Sequence, residues 1–161
     1  MSEKLDVRII TPARIVFKRE AESVILPGTA GEMEVLAGHV AIFSTIKAGQ
    51  ITIRDGEKKA IFACGAGLLE VSSNKVTLLV DSAEGTAEID PEEARKMIEE
   101  AEDKLKDIES LDEETRFAFE TKLAAAKARI DVFERMSNET PDAEHGFSTF
   151  VEPIKPGEKK E

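Results

Sequence analysis

Aromatic residues and cysteine are scarce in this sequence. Its 161 residues include no tryptophan, no tyrosine, eight phenylalanines and one cysteine. So few aromatic rings argue against a protein that stacks nucleic-acid bases, and one cysteine excludes an intrachain disulfide. That cysteine, Cys64, lies in the apolar run 60–69, which favours a buried thiol over a nucleophile.

Long apolar runs are also missing. The longest stretches without Lys, Arg, Asp or Glu are Val35 to Ile46 and Ala60 to Leu69, whereas a helix needs about 20 apolar residues to span a bilayer. The start, Met1 to Lys4, has no basic region followed by an apolar run, so we expect no secretory signal. These features predict a soluble chain without direct lipid insertion.

The residues needed for catalysis are few. The only histidines are His39 and His145, and no set of His, Cys and carboxylates has metal-ligand spacing. Neither a Walker-type phosphate loop nor a dinucleotide glycine fingerprint occurs. The glycine-rich segments 27–31 and 64–67 are interpreted as tight turns rather than phosphate cradles. We therefore expect no catalytic residue, no metal and no cofactor.

Charge divides the chain into two parts. The net charge is −11, and residues 1–85 carry ten basic and eleven acidic residues, whereas residues 86–161 carry twelve and twenty-two. A net-negative surface repels nucleic-acid phosphates and anionic lipid, so neither is an expected partner. The two parts are expected to differ in architecture.

The first part has the pattern of short β-strands. Apolar and charged residues alternate from Lys4 to Ile10, as in a half-buried strand. Turn signals such as Asp55-Gly56 and Ser73-Asn74 separate the runs. This predicts an antiparallel sandwich or barrel. The nine runs are 4–10, 14–18, 22–26, 31–36, 40–46, 50–54, 59–63, 67–71 and 75–81.

The second part has helical periodicity. Asp90 followed by Pro91 is an N-cap with proline at the first helical position. A break at 109–112, where Ser110 with Glu113 is a candidate cap, separates two seams of equal spacing, which predicts an antiparallel helical hairpin. The seams are Ala94, Ile98, Ala101, Leu105 and Ile108, then Phe119, Leu123, Ala126, Ile130 and Phe133.

Residues 137–161 lose this periodicity and contain three prolines. We interpret them as a mobile tail. An alternating apolar set within the tail has the spacing to dock on a sheet edge. Its members are Phe147, Phe150, Val151 and Ile154.

The second helix is locally basic in an acidic chain. Two interpretations stay open: charge complementarity between the helices, or a basic face that docks on an acidic partner. The basic residues are Lys122, Lys127, Arg129 and Arg135.

Four segments carry a resemblance to a known family. The segments 26–39 (LPGTAGEMEVLAGH), 46–51 (IKAGQI), 67–71 (GLLEV) and 75–81 (KVTLLVD) resemble the epsilon subunit of F-type ATP synthases, over residues 4 to about 136. The resemblance implies a ten-stranded antiparallel β-sandwich over residues 1–87, a regulatory two-helix hairpin over 88–136 and a tail over 137–161.

The resemblance also implies a role. The chain is expected to be a non-catalytic rotor subunit in the central stalk of a proton-translocating enzyme, peripheral on the cytoplasmic face of the bacterial cell membrane. It would couple c-ring rotation to ATP synthesis. Its expected partners are the gamma subunit and the polar loops of the c-ring. Glu32 occupies the family position that faces those loops, and His39 the position near gamma.

The hairpin of this family either folds onto the sandwich or extends into the catalytic head, where it contacts the alpha and beta subunits and inhibits hydrolysis. Lys122, Lys127, Arg129 and Arg135 are the candidate contacts here.

Some members also bind ATP on the folded hairpin. The candidate residues are Asp90, Arg95 and Arg129, but Glu93 and Ala125 stand where the pattern has arginine. A carboxylate repels phosphate, so weak or no ATP binding is expected. The alternatives are a nucleotide-sensing module and a coiled-coil adaptor without a rotary role.

Overall fold

The computed structural model describes residues 3–138, which form ten β-strands followed by two α-helices. A 3₁₀ turn, Thr86–Glu88, joins the sheet to the first helix, and another, Ile108–Ser110, joins the helices. The strands are β1 Leu5–Ile10, β2 Ile15–Ala21, β3 Ser23–Gly28, β4 Gly31–Leu36, β5 Ile42–Ile46, β6 Gly49–Asp55, β7 Lys58–Cys64, β8 Gly67–Ser72, β9 Lys75–Val80 and β10 Ala83–Gly85. The helices are α1 Pro91–Leu105 and α2 Glu113–Asn138.

The strands form one curved sheet that nearly closes into a sandwich. Their order is β10-β7-β6-β3-β5-β8-β9-β1-β2, and β4 pairs with β3. The predicted fold class, a ten-stranded sandwich followed by two helices, is confirmed. One pairing departs from the antiparallel expectation, because β1 runs parallel to β9. The long chain between these strands supplies the crossover that a parallel pair requires.

The sandwich core consists of the inward-facing residues of the strands. In β1, Leu5, Val7 and Ile9 are buried while the residues between them are half-buried, which is the predicted alternation. β7 differs, because every residue from Ala60 to Cys64 is buried. Ala60, Phe62 and Cys64 belong to the sandwich core, while Ile61 and Ala63 belong to a second apolar cluster on the outer face. Both faces of β7 are therefore covered by other parts of the chain.

The glycine-rich segments are turns, as predicted. Gly28 and Gly31 face each other across the β3–β4 hairpin, and the segment 64–67 joins β7 to β8. Gly67 permits a close approach of β9, because a Cβ at this position would overlap the carbonyl oxygen of Leu79.

The helix starts follow capping rules. The Asp90 carboxylate accepts hydrogen bonds from the backbone N–H groups of Glu92 and Glu93, as predicted. At α2 the predicted cap Ser110 is wrong. The cap is Asp112, which accepts bonds from the Thr115 N–H and hydroxyl and stands directly before the first helical residue.

The predicted seams are formed with one exception. Ala94, Ala101 and Ala126 are buried between the helices, and the other members are half-buried. Ile108 is wrongly placed in the seam, because it lies in the 3₁₀ turn after α1 and is exposed. α2 continues to Asn138, two residues past the predicted end of the hairpin. The rest of the predicted tail, with Phe147, Phe150, Val151 and Ile154, lies outside the described residues.

Candidate functional site

The two interface candidates on the sandwich lie at opposite ends of β4. Glu32 is exposed beside the β3–β4 turn, opposite Pro27. His39 follows the other end of the strand, where its N–H donates to Leu36 O and its Nδ1 lies 2.7 Å from Val40 O. At about 3.4 Å per residue along a strand, these two side chains serve different surfaces rather than one site.

An apolar strip crosses the outer face of the sheet. Leu68 pairs with Leu79, Leu79 with Ile10, and Ile10 with Ile15. Leu68, Leu79 and Ile15 are exposed and Ile10 is half-buried. We call these four residues the outer strip. A row of large aliphatic side chains facing water is typical of a docking surface.

The outer strip continues toward His39. Phe43 lies on the same face, one pair of residues along β5 from Thr45, which pairs with Leu68. Phe43 is 70% exposed and Val40, next to His39, is 75% exposed. Phe43 and the outer strip therefore lie on one face of the sheet, where Phe43 is paired with the exposed Glu70, and the exposed Val40 adjoins His39 in the loop before β5.

The hairpin packs back onto the sheet through α2. At about 100° per residue, the seam residues of α2 lie on one side of the helix, and Ala128, Val132 and Met136 lie on an adjacent side. Val132 is buried in a cluster with Ile61, Ala63 and Ile89, against which Met136 packs. α2 is thus the element that covers the outer face of β7.

Arg129 lies at the boundary between these two sides of α2. Its Nε donates to Glu84 Oε2 on β10 at 2.9 Å, and its Nη2 donates to Glu93 Oε2 on α1 at 2.9 Å. Its Nη1 lies 3.2 Å from Met97 Sδ. Register explains the contact with β10, because Glu84 is paired with Ala63 and so shares the face that α2 covers. The guanidinium of this α2 residue therefore contacts both the sheet and α1.

The environment of Arg129 favours its charged form. Its side chain is only 12% exposed, against 33% for Glu84 and 62% for Glu93. Burial acts to lower the pKa of the guanidinium, but the hydrogen bonds and negative charges of Glu93 and Glu84 outweigh it and raise that pKa above its ordinary value. The cation is stable where it lies.

The other basic candidates on α2 point in different directions. Lys127 pairs with Glu102 of α1 at 3.2 Å. Arg135 Nη1 lies 3.5 Å from Gln50 Oε1 of β6, beside a shallow cavity of about 330 Å³ that Ile61 and Met136 also line. Lys122 is exposed, and within residues 3–138 no ion pair holds it. The structure brings none of the four together, and two of them already pair with acids of the chain.

The candidate nucleotide residues are also engaged elsewhere. The Asp90 carboxylate caps α1, and Arg95 pairs with Glu92 at 3.6 Å on the exposed face of the same helix. Arg129 is held by two carboxylates. A phosphate near Arg129 would meet Glu84 and Glu93 as well as the cation.

The part of the chain that the structure describes contains neither a metal-binding cluster nor a helix that could span a membrane. In the range 3–138, no three His, Cys, Asp or Glu side chains are grouped to hold a metal ion. None of the helices in that range is long and apolar enough to cross a membrane.

Sequence reasoning missed the contacts between hairpin and sheet. The spacing of Ala128, Val132 and Met136 by four residues is a second apolar stripe that periodicity alone would have revealed. Glu84 gave no such signal, because its role depends on a three-residue strand and its register beside β7.

Comparison with known proteins gives one consistent result. The model of the ATP synthase delta/epsilon chain β-sandwich domain matches residues 4–100. The ATP synthase epsilon chain of Synechococcus elongatus is 36% identical over 126 residues, which are 78% of this chain and 92% of that protein.

Two solved assemblies contain a chain of the same fold. One is the Euglena gracilis mitochondrial ATP synthase, in a structure of OSCP, F1 and c-ring; the TM-score is 0.63 and the identity 23%, with 78% of each chain covered. The other is the central stalk and c-ring of the Tetrahymena thermophila mitochondrial ATP synthase; the TM-score is 0.55 and the identity 15%, with 84% of this chain and 98% of that one covered.

Proposed function

This chain belongs to the family of ATP synthase epsilon chains, and on that premise we propose that it is a non-catalytic rotor subunit that couples c-ring rotation to ATP synthesis. The observation that carries the proposal is the extent of the similarity, 126 residues and 92% of the Synechococcus elongatus chain. It therefore includes more than the sandwich. The proposed place is the central stalk of a proton-translocating enzyme, peripheral on the cytoplasmic face of the bacterial membrane.

We assign the gamma subunit to the surface formed by the outer strip and the His39 loop. Phe43 and Val40 are largely exposed, and the strip extends this apolar area across the strands. Burial of such a surface stabilises a permanent contact by about 25 cal/mol per Å² of apolar area. His39 adds a hydrogen-bonding group at the rim of the contact.

We assign the polar loops of the c-ring to the end of the sandwich that carries Glu32. The carboxylate is exposed beside a tight turn and is available to pair with a basic loop residue. The separation of Glu32 from His39 along β4 suits a subunit held between two partners. A packed sandwich transmits torque between them because its interior has few voids and low compressibility.

We assign inhibition of hydrolysis to the extended hairpin. In the state described here, Lys127 and Arg129 pair with acids of this chain, and an extension that also separates α2 from α1 would make their charges available to the alpha and beta subunits. Lys122 is exposed already. Lys127 and Arg129 thus act on the catalytic head only in the second state.

The test is ATP hydrolysis by the cognate catalytic head lacking this subunit, titrated with the full chain. A matched variant carries Lys122→Gln and Arg135→Gln, which remove charge from α2 and leave Arg129 in place. A control carries Lys96→Gln and Lys104→Gln on α1. We expect full inhibition from the natural chain and the control, and severalfold weaker inhibition from the α2 variant, with equal binding to gamma.

Three outcomes have distinct meanings. Equal inhibition by all three chains would remove Lys122 and Arg135 from the mechanism. Binding to gamma without any inhibition would mean that the chain is a coupling subunit that does not inhibit hydrolysis. A chain that does not bind gamma would overturn the rotor assignment and favour the adaptor alternative.

A further inference from the structure

The hairpin is attached to the sheet by an apolar contact, by one part-buried ion pair and by a long contact between Arg135 and Gln50. In the apolar contact, Val132 is the one large aliphatic side chain of α2 that is fully buried within the described residues, and the partly buried Phe133 and Met136 pack beside it. The charged contact is the pair between Arg129 on α2 and Glu84 on β10, 2.9 Å apart. Because the contact between Arg135 and Gln50 is exposed and 3.5 Å long, the apolar contact and the ion pair decide whether α2 stays on the sheet.

The two carboxylates beside Arg129 have different roles. Glu84 belongs to the sheet and Glu93 to α1. If the hairpin leaves the sheet as a unit, the bond to Glu84 breaks while the bond to Glu93 is kept. Glu93 and Met97 instead fix the direction of the guanidinium, so that its Nε meets Glu84 with little loss of side-chain entropy on docking.

We propose that Arg129 and Glu84 form a latch that holds the hairpin on the sheet, with Glu93 as its positioning residue, so that docking requires no bound nucleotide. Glu84 and Glu93 supply the negative charge beside Arg129 from within the chain. One cation between two carboxylates has a net negative charge and repels a further anion. The docked state is therefore set by the chain itself.

The latch is also placed where a movement of the hairpin begins. Glu84 lies in β10, the last strand before the connection 86–90 that leads into α1. Arg14 also contacts this connection, through a 2.8 Å pair with Glu88. A latch beside the connection constrains the whole hairpin because the helices cannot turn away without separating Arg129 from Glu84.

Hydrogen exchange of the full chain tests the proposal. Amides of α2 near Val132 exchange when the helix leaves the sheet, because an isolated hairpin of this size is marginally stable. Amides of β1 and β6 report the sandwich in the same experiment. The variants are Arg129→Gln, Glu84→Gln, Glu93→Gln and Arg129→Lys. The matched control is Lys127→Gln, which breaks an α1–α2 pair without touching the sheet.

We expect exchange of the α2 amides to rise roughly tenfold in Arg129→Gln and roughly fivefold in Glu84→Gln, with sandwich amides unchanged. Lys127→Gln should change it by about twofold at most, because that pair is largely exposed. Glu93→Gln should raise it about threefold, less than Glu84→Gln, because it frees the guanidinium that Glu93 positions without removing the bond to the sheet. Arg129→Lys should recover part of the protection. Millimolar ATP should leave exchange of the natural chain unchanged.

Several results would overturn the latch. Unchanged α2 exchange in both Arg129→Gln and Glu84→Gln would mean that apolar packing alone holds the hairpin. An equal rise in Lys127→Gln would mean a general loosening of the hairpin. A gain of protection with ATP would restore the nucleotide-sensing alternative. Docking itself does not depend on the proposed function; only its effect on hydrolysis does, and the hydrolysis assay tests that separately.

Discussion

The sandwich and the hairpin are built from different amounts of apolar material. The largest fully buried side chains are all in the strands, among them Leu5, Leu26, Ile51 and Leu69. In the two helices the buried residues are four alanines and Val132. Burial of each additional CH₂ group stabilises by about 0.8 kcal/mol. The sandwich is thus a rigid body, whereas the hairpin is held by contacts weak enough to be exchanged for others.

The largest expected effect is a truncation in the sandwich core. Leu69→Ala should lower the free energy of unfolding by about 3 kcal/mol, because it leaves a cavity at a fully buried position. Urea denaturation measures the change. The control is Leu79→Ala on the outer strip, which is exposed and should cost less than about 1 kcal/mol. Equal losses in both variants would contradict the assignment of the two faces.

A smaller effect comes from the buried thiol. Burial raises the pKa of Cys64 from 9.0 to about 11, so the folded chain holds this proton more tightly than the unfolded chain. Its contribution to stability is complete below pH 9 and is lost as the pH rises toward 11. We expect a loss of about 2 kcal/mol across that interval. Urea denaturation from pH 8 to pH 11 measures it.

Cys64→Ala is the control for this pH dependence and should flatten the slope. The reactivity of the thiol also reports on the sandwich separately from the hairpin, because Cys64 faces the sandwich core while Ile61 and Ala63 of the same strand face α2. Labelling of Cys64 by a thiol reagent should stay slow in variants that release the hairpin. Fast labelling in Arg129→Gln would show that the two regions open together.

A still smaller effect is expected from a truncation in the contact between α2 and the sheet. Val132→Ala removes two methyl groups from the interface and should weaken docking by about 1.6 kcal/mol, or about fifteenfold in α2 hydrogen exchange, with the sandwich amides unaffected. Val40→Ala makes the same chemical change at an exposed position and should leave exchange unaltered. A loss of protection in the sandwich would show that the hairpin supports it.

The smallest expected effect is at the start of α2. Hydrogen bonds from the N–H and hydroxyl of Thr115 lower the pKa of Asp112 below its ordinary value of 3.8. Its cap is therefore complete above pH 3.8 and is lost as the pH falls through the lowered pKa. We expect the first turn of α2 to fray there before the sheet unfolds. Amide shifts of residues 113–116 during an acid titration test this, and the turn should not respond in Asp112→Asn.

Much of the fold was predictable because its signals are local. Alternation in β1, the turn at 55–56 and the Asp90 cap all depend on neighbours in sequence, and the structure has them as predicted. The prediction that Ser110 caps α2 was wrong, because Ser110 is the last residue of the 3₁₀ turn at 108–110. The parallel pair of β1 and β9 was not predictable, since register between distant strands leaves no periodic signal.

The candidate site was predictable only in part. Basic residues of α2 were identified from composition, but which acid each one meets depends on strand register and on the rotation of the helix. Arg129 and Glu84 are 45 residues apart, and the pairing of Glu84 with Ala63 is what brings them together. Such contacts follow from tertiary structure and have no sequence motif.

The parallel pairing of β1 with β9 also determines the order in which the chain completes its structure during synthesis. β1 can form a hairpin with β2 early, but its second neighbour is translated only after β8. Until then β1 and β8 each have an open edge with unpaired backbone groups, which favours aggregation. We expect slow folding dominated by non-local strand pairing. The two helices, which follow all of the strands in sequence, are expected to dock on a sheet that has already formed.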